Sequence, residues 1–477
     1  MFTFADVIEA LANARPESLT QELTEAVIDS RLASAGSLFV AIAGENVDGH
    51  SYIGTAFANG AKAALAERPV QGNWLTLDLR QGAPDTPTLA TAAGWQGPVC
   101  FVVGNSVAAL QAIAAHHRRK YTPRVVGITG SVGKTTTKEL VAQVLAQKFI
   151  TQKTEGNFNN EIGLPMMLLK LRPDTEMMVL EMGFYVPGEI KLLCDIARPH
   201  VGVFTLIGSV HAERAGSKET IALGKGELAE ALPPAPHGVC ILNADDPYIM
   251  GMAPRTRARL FTYGLTPHAD LYATDVQGLG LEGIRCTLHH NGQSHPVQVP
   301  MPGKHSVGAV LRATAVALCE GMEWPQIIAG LQQKQKAIRL APLQLANGTL
   351  IIDDSYNANP ESTTAALDLL GELPGRRIAV LGDMLELGQY EQQGHQQVGQ
   401  KAAQTAQYLL TLGQRARTIA AAAIAAGMPA DSVFQTETLD ELLAALRPLL
   451  RGSETVLIKG SAGMGMKRVV SALENGS

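Results

Sequence analysis

Short apolar runs recur along the chain, each followed by a longer stretch whose apolar residues fall three and four positions apart. In the first third, residues 37–42, 63–66 and 98–103 read as strands with helical segments between them. Residues 124–129 (RVVGIT) form the next strand, followed by a glycine-containing turn. A helix is then predicted from Thr135 to about Lys148, with Leu140, Val141, Val144 and Leu145 on one face. Further strands are expected at 177–180, 201–207 and 239–242, and again at 350–352, 378–381, 408–412 and 456–459. Strands alternating with helices predict parallel sheets covered on both faces. The Ala-rich stretch 419–426 is broken by Gly427 and too short to span a membrane, so it reads as packed helix. Residues 81–97, rich in Gly, Pro and Thr, read as a loop insertion.

At 477 residues the chain exceeds what one hydrophobic core holds, and the pattern divides it into three α/β blocks. They are expected at 1–121, 122–336 and 337–477, with Tyr121-Thr122-Pro123 marking the first boundary. A formal net charge of −5 and 5% aromatic residues give no general attraction to nucleic acid, so any phosphate ligand must be held by a local site. The five cysteines are widely spaced and form no CxxC pair, which excludes a metal cluster or disulfide framework. The N-terminus lacks a basic segment before an apolar core, and no apolar run is long enough for a membrane span. A soluble, cytoplasmic protein acting as a monomer is expected.

The strongest chemical signal lies between the 124–129 strand and the helix after it: Gly130-Ser131-Val132-Gly133-Lys134-Thr135-Thr136. Glycines let the backbone aim N–H groups at phosphate oxygens, and the helix N-terminus adds positive potential. Lys134 would neutralise the outer phosphates and Thr135 would bind Mg²⁺. The longer G-x-x-x-x-G-K-[ST] pattern would place Gly at 128, where Ile128 stands, so this is the shorter G-x-x-G-K-T loop. Strand before and helix after identify it as an ATP site.

Ligands of an open parallel sheet sit beyond the carboxyl ends of its strands. Glu181 ends one strand and His211 follows another. Glu181 is equally readable as a metal ligand or as a solvated or capping carboxylate, and His211 reads first as polar packing because Mg²⁺ prefers hard oxygen. Lys225 and Glu227, two apart in a helical stretch, would point to opposite sides. Asn157 and Asn160, in an Asn-rich loop before a helix start, suit either loop structure or substrate oxygens. Asp353 and Asp354 alternate faces along their strand, so one of them would meet a ligand unless the segment is a plain turn.

Together these segments resemble the Mur ligase family over nearly the whole chain. The resemblance rests on 127–137, 155–165, 181–183, 211–216, 225–227, 243–246, 303–305, 353–360 and 459–461. Ser30-Arg31, residues 36–46 and Asp48-Gly49-His50 are similar to the UDP-binding domain of the members acting third and fourth, and 354–360 to the member that adds D-alanyl-D-alanine. The resemblance implies a central P-loop ATPase domain flanked by an N-terminal α/β UDP-binding domain and a C-terminal dinucleotide-fold-like domain. It implies ATP-dependent joining of D-alanyl-D-alanine to UDP-N-acetylmuramoyl-tripeptide through an acyl phosphate, in peptidoglycan precursor synthesis. Two Mg²⁺ ions are implied, held by Thr135, Glu181, His211 and Lys225, the last as a carbamate. Lys134, Lys225 and His211 would be catalytic. Arg339 and Asp354 would lie near ATP, and Ser30, Arg31, Asp48, Gly49, His50, Asn157, Asn160, Tyr356 and Asn359 at the substrates.

Three departures stand out. The family's His-Asn-x-x-Asn stretch reads His305-Ser306-Val307-Gly308-Ala309, the C-terminal Lys-Gly-Ser-Arg reads Lys459-Gly460-Ser461-Ala462, and residues 73–97 have no counterpart. Two other readings fit part of the pattern: a folylpolyglutamate-type ligase, and a non-catalytic ATP-binding regulatory module.

Overall fold

The structure is a computed structural model describing residues 1–210, 212–334 and 341–475. His211, Arg339 and the boundary expected at 336–337 lie outside the described residues. The chain forms two compact units. The first comprises Met1–Gly127, Phe149–Gly183 and Gly188–His200, and the second Ile128–Lys148, Phe184–Pro187 and Val201–Ser477.

The first unit contains a five-stranded parallel sheet in the order Ala26–Val27, Leu38–Val40, Ala63–Ala66, Val99–Val102, Leu75–Asp78. Leu38–Val40, Ala63–Ala66 and Val99–Val102 are buried along their whole length, as strands covered on both faces must be. The helix Ser106–Arg119 follows, capped by the Asn105 side chain on the Ala108 amide at 2.8 Å. The strands Thr151–Lys153 and Met177–Glu181 pair in parallel in the same unit, and the helix Gly163–Leu169 between them is buried throughout.

Residues 81–97 are not a loop insertion. Thr86–Gly94 is a helix whose N-cap, Asp85, accepts from the Thr88 amide at 2.9 Å, with Pro87 in its first turn. Pro is tolerated there because the first-turn amides have no helical partner.

In the second unit Val201–Phe204, Val239–Asn243, Arg259–Gly264 and Leu271–Gly278 run parallel. The sheet then turns antiparallel through Ile284–His290 and Gln293–Val299, so the expectation of a purely parallel sheet is corrected. Asn291 (φ 48°) and Gly292 (φ 75°) form the two-residue hairpin turn, whose positive φ at both positions matches strand twist.

The C-terminal sheet has the order Ala341–Gln344, Leu350–Asp354, Glu454–Lys459, Arg376–Gly382, Tyr408–Leu412, Val433–Thr436, with only the first strand antiparallel. Its strands bury both faces. Ile352, Ala379, Leu381, Leu409 and Leu457 face the helices Pro360–Glu372, Glu391–Thr405 and Arg417–Ala425. Ile351, Ile378, Val380, Leu410 and Val456 face Leu439–Leu446 and Lys467–Glu474. Each of these Leu, Ile and Val side chains contributes about 1.5–3 kcal/mol by leaving water.

Candidate active site

The strand Arg124–Thr129 buries Val125, Val126 and Ile128 and delivers the chain to a turn that only glycine accommodates. Gly130 has φ +146°, and a Cβ there would lie 1.8 Å from Thr205 Oγ1. Gly133 has φ +85° and caps the helix Lys134–Leu145 without a side-chain hydrogen bond. The first-turn amides thus keep their positive end for a ligand.

Two ammonium groups converge on this turn. Lys134 Nζ donates to the carbonyls of Gly130 (2.8 Å) and Ser131 (3.4 Å), and Lys225 Nζ donates to Gly130 at 3.1 Å. Lys225 is only 1% exposed and its Nζ lies 4.6 Å from the centre of the Phe184 ring. The helix carrying it, Lys218–Lys225, ends at that residue, and Glu227 opens the next. Ser131 is fixed by donation from its amide to Leu206 O and from its hydroxyl to Gly208 O. Thr135 is half-buried in the first helical turn.

Val132, Gly133 and Thr136 open on a cavity of about 320 Å³, at the small end of the range for ligand pockets. The segment His305–Ala309, Leu265 and Arg312 line it too. Arg312 Nε donates to Thr137 Oγ1 (2.8 Å) and Nη1 to Tyr263 Oη (3.2 Å). Burial raises the Tyr263 phenol above its ordinary pKa despite Arg312, so it stays a neutral donor to Phe204 O at 2.7 Å.

In the first unit Glu181 ends its strand at 2% exposure. Its Oε1 accepts from Asn159 Nδ2 at 2.8 Å, and its amide donates to Thr154 Oγ1. Asn160 Oδ1 accepts from Gly163 N at the start of the following helix, and Asn157 is exposed in the loop. Ser30 is buried, while Arg31 is exposed and pairs with Asp29 at 2.6 Å. His50 is buried, its Nε2 accepting from Glu67 N (2.9 Å), so Nδ1 carries the proton toward Asp48 Oδ1 at 2.6 Å. Arg68, then His50, hold the Asp48 carboxyl well below the usual range. A Cβ at Gly49 would meet the Ile42 backbone at 2.7 Å. This trio therefore also shapes its own loop.

In the C-terminal sheet both aspartates are paired. Asp354 Oδ2 meets the buried Lys459 Nζ at 2.5 Å, and Lys459 also donates to Asn357 O. Asp353 pairs with Lys467 at 2.5 Å; burial alone would raise its pKa, but Lys467 and Ser355 outweigh it and lower it. Asn359 caps the helix Pro360–Glu372, and Tyr356 is exposed.

Sequence reasoning passed over Thr205, which walls the glycine turn, and Asn159, which holds Glu181. It also passed over Arg312, although Arg312 is the one charged residue in the apolar helix Val307–Cys319.

Family models match three consecutive segments: Mur ligase family, catalytic domain (22–117); Mur ligase middle domain (128–317); and Mur ligase, glutamate ligase domain (338–462). The UDP-N-acetylmuramoyl-tripeptide--D-alanyl-D-alanine ligase of Synechocystis sp. is 38% identical over 449 residues, covering 93% of this chain and 90% of that protein. The chain belongs to the Mur ligase family. Its architecture is that of the family, a central P-loop ATPase domain flanked by N- and C-terminal α/β domains. The crystal structure of MurF from Acinetobacter baumannii superposes with a TM-score of 0.84 at 30% identity, covering 99% of both chains. MurF ligase from Thermotoga maritima, solved in complex with ADP, gives 0.78 at 26% identity, covering 95% of this chain and 97% of that one. Against that background two of the three departures fall in defined places. Ser306 and Ala309 line the cavity beside the glycine turn, and Ala462 opens a short turn before Lys467, the partner of Asp353.

Proposed function

We propose that this Mur ligase joins D-alanyl-D-alanine to UDP-N-acetylmuramoyl-tripeptide at the expense of ATP, in peptidoglycan precursor synthesis. The observation that carries the reading is the glycine turn with Lys134 and Lys225 gathered on the Gly130 carbonyl, in a chain whose relatives are ligases of that name. The tripeptide's terminal carboxylate takes the γ-phosphoryl group and ADP leaves. The amine of D-alanyl-D-alanine then attacks the acyl phosphate, losing a proton as phosphate departs. Bringing two anions together needs fixed positive charge, which Lys134 and the first-turn amides supply.

Magnesium, when bound, supplies further charge neutralisation at the phosphates. A buried carboxylate oriented by an amide, as in Glu181 with Asn159, fits a hard cation. Thr135, Glu181 and His211 are the residues that would hold two ions, with Lys225 once its amine has added CO₂ and lost a proton to become a carbamate. Arg339 and Asp354 serve the nucleotide. Ser30, Arg31, Asp48, Gly49, His50, Asn157, Asn160, Tyr356 and Asn359 serve the substrates. The protein works as a cytoplasmic monomer in three domains bounded near 121 and 336. Among the described residues no helix is long and apolar enough to cross a membrane.

Phosphate release from ATP should require UDP-N-acetylmuramoyl-tripeptide and D-alanyl-D-alanine together. Release that ignores either one refutes the assignment. Lys134→Ala should abolish turnover with the circular dichroism spectrum unchanged, and near-normal activity would remove the phosphate role. Lys225→Ala should lose activity and regain part of it with short carboxylic acids; normal activity without them at low CO₂ would rule out the carbamate.

A further inference from the structure

The helix Val307–Cys319 is apolar but for Arg312, which is 7% exposed. A guanidinium taken out of water needs acceptors for its donors, and this one has found two. Nε is satisfied by Thr137 and Nη1 by Tyr263, while Nη2 makes no hydrogen bond among the described residues. Nη2 points toward the turn, since a Cβ on Gly133 would lie 3.4 Å from it, and Arg312 lines the cavity beside that turn.

Of the other polar side chains there, Ser306 and Asn243 are already committed, while Thr205 Oγ1 and Glu361 Oε2 have no hydrogen-bond partner among the described residues. Ser306 Oγ donates to Pro302 O at 2.8 Å, and Ala309 carries no polar group. Asn243 donates from Nδ2 to Thr205 O (3.2 Å) and accepts at Oδ1 from Asp245 N (3.1 Å). Positions 309 and 312 are three apart on a helix and share a face. A buried, half-satisfied cation thus stands one turn beyond the place where the amide is missing.

We propose that Arg312 is a base-reading residue of this site, donating from Nη2 to a ring nitrogen of the purine in place of the absent amides. The inference rests on the nucleotide reading above and deepens it. Arginine has only donors, so its partner must be an acceptor, and the purine offers its ring nitrogens.

The test compares ATP with 1-deaza-, 3-deaza- and 7-deaza-ATP, each lacking one ring acceptor, in the phosphate-release assay. In the wild type one analogue should raise the nucleotide KM about tenfold or more, with kcat within about twofold, as losing one charge-assisted hydrogen bond predicts. Arg312→Met should raise the ATP KM by about 10- to 100-fold and leave the D-alanyl-D-alanine KM unchanged. In that variant the penalty for the sensitive analogue should vanish. Adding Ala309→Asn to Arg312→Met should recover part of the ATP KM, which a purely structural arginine would not allow. Equal KM values for all three analogues in the wild type overturn the proposal, even if Arg312→Met fails to fold. So does a penalty that survives unchanged in Arg312→Met. Absence of phosphate release from wild type with ATP overturns the ligase reading itself.

Discussion

At Gly130 a side chain has neither room nor an allowed backbone: φ is +146° and Thr205 Oγ1 occupies the Cβ position. Gly130→Ala should cost about 1–3 kcal/mol in thermal unfolding and reduce phosphate release at least about tenfold. Unchanged values for both would show that the turn relaxes freely. Asp6 tests electrostatics away from the site. Burial alone would raise its pKa, but Lys120 and Arg15 bring it down from 3.8 to about 2. A lowered folded-state pKa stabilises above the unfolded value and is lost as pH falls through the folded one. The stability lead of wild type over Asp6→Asn should therefore include roughly 2 kcal/mol above pH 4 that disappears toward pH 2, read by denaturant titration at several pH values. At this scale the glycines and Lys134 were legible because their spacing is itself the chemistry. Thr205, Asn159 and Glu361 were not, since their partners lie far away in sequence. Glu361, for example, accepts from Ser209 N across 152 positions.

Among the elements, apolar runs located most strands, and 63–66, 124–129 and 408–412 have the expected bounds because each is buried throughout, save the half-buried first residues Arg124 and Tyr408. The antiparallel strands Ile284–His290 and Gln293–Val299 were missed for the opposite reason. Each buries alternate residues only, so neither shows a continuous run. The Asn291-Gly292 pair was the readable signal. The helix Thr86–Gly94 was hidden by Pro and Gly, which suit a first turn and a last turn as well as a loop. Asp85→Ala should lower the midpoint of thermal unfolding through loss of the cap and leave turnover unaltered. A variant as stable as wild type would mean the Thr88 amide finds another acceptor.

For the molecule as a whole, alternation of strand and helix foretold an α/β protein, but not which segments cluster. Helix Ser106–Arg119 illustrates why. Arg118 donates to Ala197 O at 3.0 Å, and Gln111 to Glu161 O at 2.9 Å, each across at least 50 positions in sequence. Contacts of that span leave no local trace in a hydrophobic pattern. They carry a practical consequence for anyone cutting this chain at Tyr121. A fragment Met1–Tyr121 would retain a complete five-stranded sheet yet strip two of its three receiving carbonyls, those of Pro123 and Ala197, from the buried Arg118 guanidinium, and it should come out of cells aggregated. Extending it to His200 restores those acceptors, and the longer piece should be recovered in the supernatant. The segment matched by the N-terminal family model and the soluble piece are then different lengths of polypeptide.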